Sequence, residues 1–308
     1  MKIAFVFPGQ GSQYPGMAKD LYEKYSEAKK VFDKASQVLG FSLSEKCFYG
    51  TEEELRQTYI TQPAILTHSL AVFEILKNKI DFAGCAGHSL GEYSALYASN
   101  SVNLNDVLGL VKKRGEAMSE ISGGVLAALI GKDFSRVEEL CKASGFVISI
   151  YNSPKQIILA GRDEDFENLE KIAGDYGIRR VKKLQVSGPF HSFLMEPAAK
   201  KFKNSTDKVI INTPDKALYM NCTANSENNT EEIRKNMVNQ VYKTVRWKDE
   251  IENMIKDGFD TFIELGPGKV LCGIISSIDN NVKVMNVDNA QDLENILEIL
   301  NGGENAEK

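Results

Sequence analysis

Gly87-His88-Ser89-Leu90-Gly91 lies between a small-residue apolar run, Phe82 to Ala86, and a run of helical character, Glu92 to Ala98. A bare G-x-S-x-G match is most often a surface turn, but strand, sharp turn and helix in succession are the context of a nucleophile elbow. Its two glycines let the backbone turn without a Cβ clash. They lift the Ser89 hydroxyl above the sheet edge and leave the following amides free at a helix N-terminus. The stretch therefore predicts an α/β fold with a nucleophilic serine at the end of a buried strand.

Working outward, Ile3 to Phe7 is a continuous apolar run, as expected of a parallel strand covered on both faces. It leads into Pro8-Gly9-Gln10-Gly11-Ser12-Gln13, whose glycine spacing fits neither a dinucleotide fingerprint nor a P-loop. The loop reads either as a plain turn or as a source of a backbone amide at the carboxyl end of a central strand. Helical patterns follow at Met17 to Leu39, at Pro63 to Lys77 and at Leu104 to Met118. In the last of these, Val107, Val111, Arg114 and Met118 share one face. A guanidinium keeps its proton, so Arg114 on an apolar face calls for a structural ion-pair partner, a snorkelling exit to water, or an anionic substrate group.

Residues 123 to 187 change character. A strand-like run at Gly124 to Ile130 precedes a helix at Phe134 to Ala143, strands at Phe146 to Tyr151 and Gln156 to Ala160, a helix at Glu164 to Tyr176 and a strand at Arg179 to Val186. This β-α-β-β-α-β order predicts a ferredoxin-like small domain at 123–187, inserted into an α/β-hydrolase-like catalytic domain formed by 1–122 and 188–308. Further strands are expected at Ala217 to Asn221, Thr261 to Leu265 and Val282 to Val287, which makes the larger sheet mainly parallel. Gly302 to Lys308 reads as a loose tail.

The 308 residues, 43% hydrophobic and 26% charged, suit a soluble globular protein with an ample core. A net charge of −5 argues against a nucleic-acid binder. Five scattered cysteines without a C-x-x-C pair indicate neither a disulfide framework nor a zinc site, so no metal is expected. With no signal-peptide h-region and no apolar span of about 18 residues, the expected place is the cytoplasm, away from membranes.

A serine hydroxyl needs a base that titrates near neutrality, and the sequence holds three histidines. His88 adjoins the serine, where neighbouring side chains point apart, and His68 sits among apolar residues of a helix. Elimination leaves His191, in the loop Ser187-Gly188-Pro189-Phe190-His191-Ser192. The Leu90 amide, just after the nucleophile, is one expected oxyanion donor, and the Gln10 amide is a second.

Seven stretches together resemble the malonyl-CoA:acyl carrier protein transacylase family of bacterial fatty acid synthesis. They are Phe-Pro-Gly-Gln-Gly-Ser-Gln (7–13), Thr-Gln-Pro-Ala (61–64), Gly-His-Ser-Leu-Gly-Glu-Tyr-Ser-Ala-Leu (87–96), Arg114 in Lys-Lys-Arg-Gly, Gly-Pro-Phe-His-Ser (188–192), Asn-Gln-Val-Tyr-Lys-Thr-Val-Arg-Trp (239–247) and Glu-Leu-Gly-Pro-Gly (264–268). The resemblance spans essentially the whole chain in the family's order. It implies Ser89 as nucleophile and His191 as general base, Gln10 and Leu90 as oxyanion donors, and Arg114 as the cation for the malonyl carboxylate. It implies Gln240 as the residue near whose carbonyl the histidine is oriented, and Phe190 as the bulky position that disfavours branched extenders. Thr244 departs from the pattern, standing where many relatives have proline, which alters local rigidity.

The activity implied is transfer of malonyl from malonyl-CoA through an acyl-serine to the phosphopantetheine thiol of acyl carrier protein, with no cofactor and the chain acting as a monomer. A free-standing acyltransferase of a polyketide synthase, a serine hydrolase acting on acyl thioesters and a catalytically silent carrier-docking module are the competing readings. An acidic carrier protein requires a basic surface, for which Arg179, Arg180, Lys182 and Lys183 form one candidate and Lys200, Lys201 and Lys203 a second.

Overall fold

The computed structural model describes residues 1–186 and 188–304, with side chains through residue 300. Ser187 and the end of the expected tail, Asn305 to Lys308, lie outside the described residues. Among the described residues there are ten strands: β1 Ile3–Phe7, β2 Gly84–Gly87, β3 Gly124–Ile130, β4 Val147–Ser153, β5 Gln156–Arg162, β6 Arg180–Lys183, β7 Ala217–Met220, β8 Asn225–Ser226, β9 Thr261–Leu265 and β10 Lys283–Val287. They form two sheets, in the orders β10-β9-β1-β2-β7-β8 and β4-β5-β3-β6.

The larger sheet is parallel from β10 to β7 and ends in the antiparallel strand β8. All five residues of β1 are buried, as its unbroken apolar run requires in a sheet with helices on both faces. The smaller sheet is wholly antiparallel. Its side-chain alternation divides it between two cores. Val125, Ala127 and Leu129 of β3 pack with the helices Val137–Ser144 and Phe166–Ile172, whereas Leu126 and Ala128 join the core of the larger unit. One face of the small sheet is thereby pressed against the larger unit beside the elbow. The chain is a mixed α/β protein with a parallel sheet and a small antiparallel one.

Several boundaries differ from the sequence reading. The pattern at Met17 to Leu39 divides into helices Lys19–Lys24 and Ser26–Leu39, because Tyr25 is extended between them with φ −120° and ψ 124°. The helix containing Pro63 spans Thr58–Leu76, so Pro63 lies in its second turn and forgoes one backbone bond. Burial of nearly the whole helix offsets that loss. β6 is shorter than Arg179 to Val186, since only Arg180 to Lys183 pair with β3. Beyond it, Leu184 and Val186 line the central cavity. The helix Ala290–Glu304 carries the backbone of Gly302 and Gly303, which were expected to be loose. Among the described residues no helix is long and apolar enough to cross a membrane.

Candidate active site

Ser89 follows β2 and precedes the helix Gly91–Ala98 with φ 50°, in the left-handed region that a serine adopts only under constraint. The constraint is close packing. A Cβ on Gly87 would run into the Gly91 carbonyl group, and a Cβ on Gly91 into the Phe7 carbonyl oxygen, so only glycine lets the turn fold back onto itself and lie against β1. His191 is also left-handed, with φ 57°. Its loop is held by Ser149 Oγ donating to the Phe190 carbonyl at 2.8 Å and Ser192 Oγ donating to the Pro189 carbonyl at 2.6 Å.

These two backbones bring Ser89 Oγ to 2.7 Å from His191 Nε2, although 102 residues separate them in the chain. On the other side of the ring, Nδ1 donates to the Gln240 main-chain carbonyl at 2.6 Å. That bond places the ring proton on Nδ1 and leaves Nε2 to accept from the serine hydroxyl. Burial, then the Arg114 guanidinium and His88, hold the His191 pKa down to about 3 against the pull of the Gln240 carbonyl. The imidazole is neutral at rest, the state in which it can take a proton.

Arg114 is buried on the apolar face of the helix Leu104–Ser119, as its phase required. Its Nη2 donates to Gln240 Oε1 at 2.9 Å and reaches Ser89 Oγ at 3.3 Å, while its Cζ lies 5.4 Å from the centre of the Tyr93 ring. Nε has no partner, and among the described residues no carboxylate pairs with this cation within 4.0 Å. Of the readings left open by the sequence, a structural ion pair and an exit to water are thereby set aside. The guanidinium faces a cavity, its charge opposed by burial and favoured by Tyr93 and Glu92.

That cavity, of about 240 Å³, runs between the larger sheet and the small one. Gln10, Ser89, Leu90, Arg114, Phe190 and His191 all line it. Gln10 also donates from Nε2 to Thr58 Oγ1 at 3.4 Å. Gln240 lies just behind the cavity, fully buried, with Nε2 donating to the Ser89 carbonyl and to Asn221 Oδ1. Thr244 does not loosen its loop: Thr244 Oγ1 donates to the Ile148 carbonyl at 2.7 Å, and Val245 exchanges backbone bonds with Ser149 and Tyr151.

His88 turns away from Ser89, as expected, and its Nε2 pairs with Asn152 Oδ1 at 2.8 Å. His68 is buried, with Nε2 2.6 Å from the Asp288 carbonyl, far from the elbow in its contacts. Three polar residues were missed from sequence. Asn152 and Gln62 line the cavity, Gln62 with an unpartnered buried Oε1, and Asn221 supports the elbow from behind. Only Gln62 had a signal, its place in Thr-Gln-Pro-Ala.

A serine, a neutral imidazole, amides at a strand end and a lone cation in one cleft suit acyl transfer with a charged acyl group. The sequence profile of the acyl transferase domain family matches residues 4–291. This chain belongs to that family. It is 40% identical to the malonyl CoA-acyl carrier protein transacylase of Bacillus subtilis over 310 residues, covering 97% of each chain. A crystal structure of the malonyl CoA-acyl carrier protein transacylase of Clostridium perfringens superposes on this acyl transferase with a TM-score of 0.95, at 37% identity and full coverage of both chains. A malonyl transacylase solved in complex with its type II polyketide synthase acyl-carrier protein matches with a TM-score of 0.92 at 35% identity, covering 97% of this chain and 99% of that one.

Proposed function

We propose that the protein transfers a malonyl group from malonyl-CoA to the phosphopantetheine thiol of an acyl carrier protein, through an ester on Ser89. The observation that carries this reading is the buried guanidinium of Arg114, without a carboxylate partner among the described residues and 3.3 Å from the same hydroxyl that His191 contacts. A malonyl thioester offers a carboxylate for the cation and a carbonyl for the serine.

In the first step Ser89 Oγ attacks the thioester carbonyl while His191 Nε2 accepts its proton. The developing oxyanion is received by the amides of Leu90 and Gln10, each such donor worth about 3 kcal/mol of barrier. Collapse breaks the C–S bond, and His191 returns the proton to the departing CoA thiolate. In the second step the carrier thiol gives its proton to His191, attacks the malonyl ester and releases Ser89 Oγ, which takes the proton back. The Gln240 carbonyl holds the imidazolium's Nδ1–H throughout. Acetyl-CoA would leave Arg114 desolvated and unpaired, a penalty of about 3 to 5 kcal/mol, and Phe190 narrows the cavity against branched acyl groups.

The larger unit, 1–122 with 188–308, is read as α/β-hydrolase-like and 123–187 as ferredoxin-like. The antiparallel order β4-β5-β3-β6, with both helices on one face, supports the second assignment. The carrier is proposed to dock along β6. Arg179, Arg180 and Lys182 are exposed there without ion pairs among the described residues, Lys183 is paired with Asp163, and the chain continues into Leu184 and Val186 at the cavity. The second cluster is weaker, because Lys201 is neutralised by Glu120 and Lys203 by Asp207.

Intact-mass measurement after exposure to a panel of acyl-CoAs tests the function. A malonyl adduct that is lost in Ser89→Ala and discharged by carrier protein is the expected result. Steady release of free malonate would make the protein a hydrolase, and absence of any adduct would make it a silent docking module.

A further inference from the structure

We propose that Asn221 is a positioning residue that holds the elbow, the residue behind the imidazole and the guanidinium in one register. It follows β7, which pairs with β2, so the sheet itself sets it beside the turn that carries Ser89. Asn221 is fully buried, and each of its hydrogen-bonding groups is used. Oδ1 accepts from the Ser89 amide at 3.0 Å and from Gln240 Nε2 at 3.1 Å. Nδ2 donates to the Gly87 carbonyl at 2.8 Å and to Glu250 Oε2 at 2.9 Å. The backbone N–H donates to Glu92 Oε2 at 2.6 Å, and the carbonyl accepts from the Arg246 amide at 3.0 Å.

The side chain thus grips the elbow on both sides of the left-handed serine, at Gly87 and at Ser89. A backbone in that region relaxes when its restraints are removed. The same oxygen also fixes the Gln240 amide, whose Oε1 receives Arg114 and whose main-chain carbonyl receives His191. One side chain therefore links all three reacting groups. Glu92 and Glu250 are both pushed up by burial, Glu92 to about 8, so each can accept from Asn221 as a neutral acid without setting an anion behind the serine. Their second oxygens have no partner, which leaves Asn221 as the group that satisfies them.

This inference rests on the reading of Ser89 as the acylated residue. The test compares full-length parent, Asn221→Ala and Asn221→Asp by thermal melting and by the rate of Ser89 acylation, read by rapid mixing with malonyl-CoA and intact mass. The expected result is cooperative melting above the assay temperature with acylation at saturating malonyl-CoA slowed about a hundredfold in Asn221→Ala, as for a misplacement of about 1 Å. Asn221→Asp keeps the Oδ1 acceptor but turns an oxygen toward the Gly87 carbonyl and Glu250 Oε2 in place of the donor, so it is slowed at least as much. The malonyl-CoA concentration for half-maximal rate stays within about threefold of the parent, because no contact to substrate is removed. A folded variant acylated within about threefold of the parent rate overturns the proposal. So does failure of both variants to melt cooperatively, which would make Asn221 a folding element. A parent that takes no malonyl group overturns the function proposed above along with it, whereas an acylated parent beside unimpaired variants overturns the role of Asn221 alone.

Discussion

His191 Nδ1 donates to the main-chain carbonyl of Gln240 across 2.6 Å, in the place where a triad enzyme would hold a carboxylate. A carbonyl sets the tautomer and the ring plane but adds no full negative charge to steady an imidazolium. Burial and then the nearby Arg114 keep the ring neutral far into acid, against the pull of that carbonyl.

The pH profile of acylation should follow from that. With the proposed base held to about 3, kcat/KM for malonyl-CoA should be flat through neutrality and fall only as the pH drops toward that value, since the protonated ring cannot accept from Ser89. Removing the cation in Arg114→Ala should move the acid limb to higher pH. Stopped-flow acylation across pH measures both, and an ordinary histidine limb near 6.5 in the parent would contradict them.

Arg114→Ala should also invert selectivity. Malonyl-CoA is expected to lose about a hundredfold or more in kcat/KM, while acetyl-CoA loses little or gains, because the unpaired charge that opposed it is gone. Competition between the two thioesters, read by intact mass, gives the ratio directly.

The elbow makes a sharp prediction about glycine. Gly91→Ala should cost at least about 3 kcal/mol or prevent folding, because its Cβ meets the Phe7 backbone and neither strand nor helix can yield. Gly109, within the helix Leu104–Ser119, has nothing within 4 Å of a built Cβ, so Gly109→Ala should stabilise by about 0.5 to 1 kcal/mol. Denaturant melts of the two variants should move in opposite directions.

Buried titratable groups bound the stable pH range. His68, His88 and His191 are all lowered, burial first in each, so the folded protein binds fewer protons than the unfolded chain and stability declines as the pH falls below about 6.5. Glu92, at about 8, and Glu264, at about 7, are raised by burial, so their stabilising share is complete in acid and is lost as the pH climbs through 7 and 8. Their share of the thermal midpoint should therefore fall as the pH rises toward 8 and level off above it. Glu92→Gln, which keeps an acceptor for the Asn221 amide, should lessen that drop.

Charge reversal at Arg179 and Arg180 should raise the KM for carrier protein about tenfold, more at low salt, and leave malonyl loading from CoA unchanged. Equal carrier kinetics in variant and parent would remove β6 from the docking surface.

Much of the site was legible because its chemistry is written in local pattern. The glycines around Ser89, the helical phase of Arg114 and the shortage of histidines each reduce to residue spacing. Element edges were less legible. Tyr25 interrupts a helix whose apolar period runs on through it, and Gly302 and Gly303, read as the start of a loose tail, lie within the helix Ala290–Glu304. In both places neighbours decide the backbone where propensity is nearly balanced.

By itself, then, the chain's order of residues determined an α/β architecture, a strained serine turn, and a cation that had to find an anion. Only the folded arrangement decided that His191 meets Ser89, that Arg114 has no carboxylate among the described residues, and that Asn221 joins them. The reason is geometric. Periodicity records which face of a strand or helix is buried, whereas the partner across that face is set by strand order, here β2 beside β7, which brings together residues 132 positions apart.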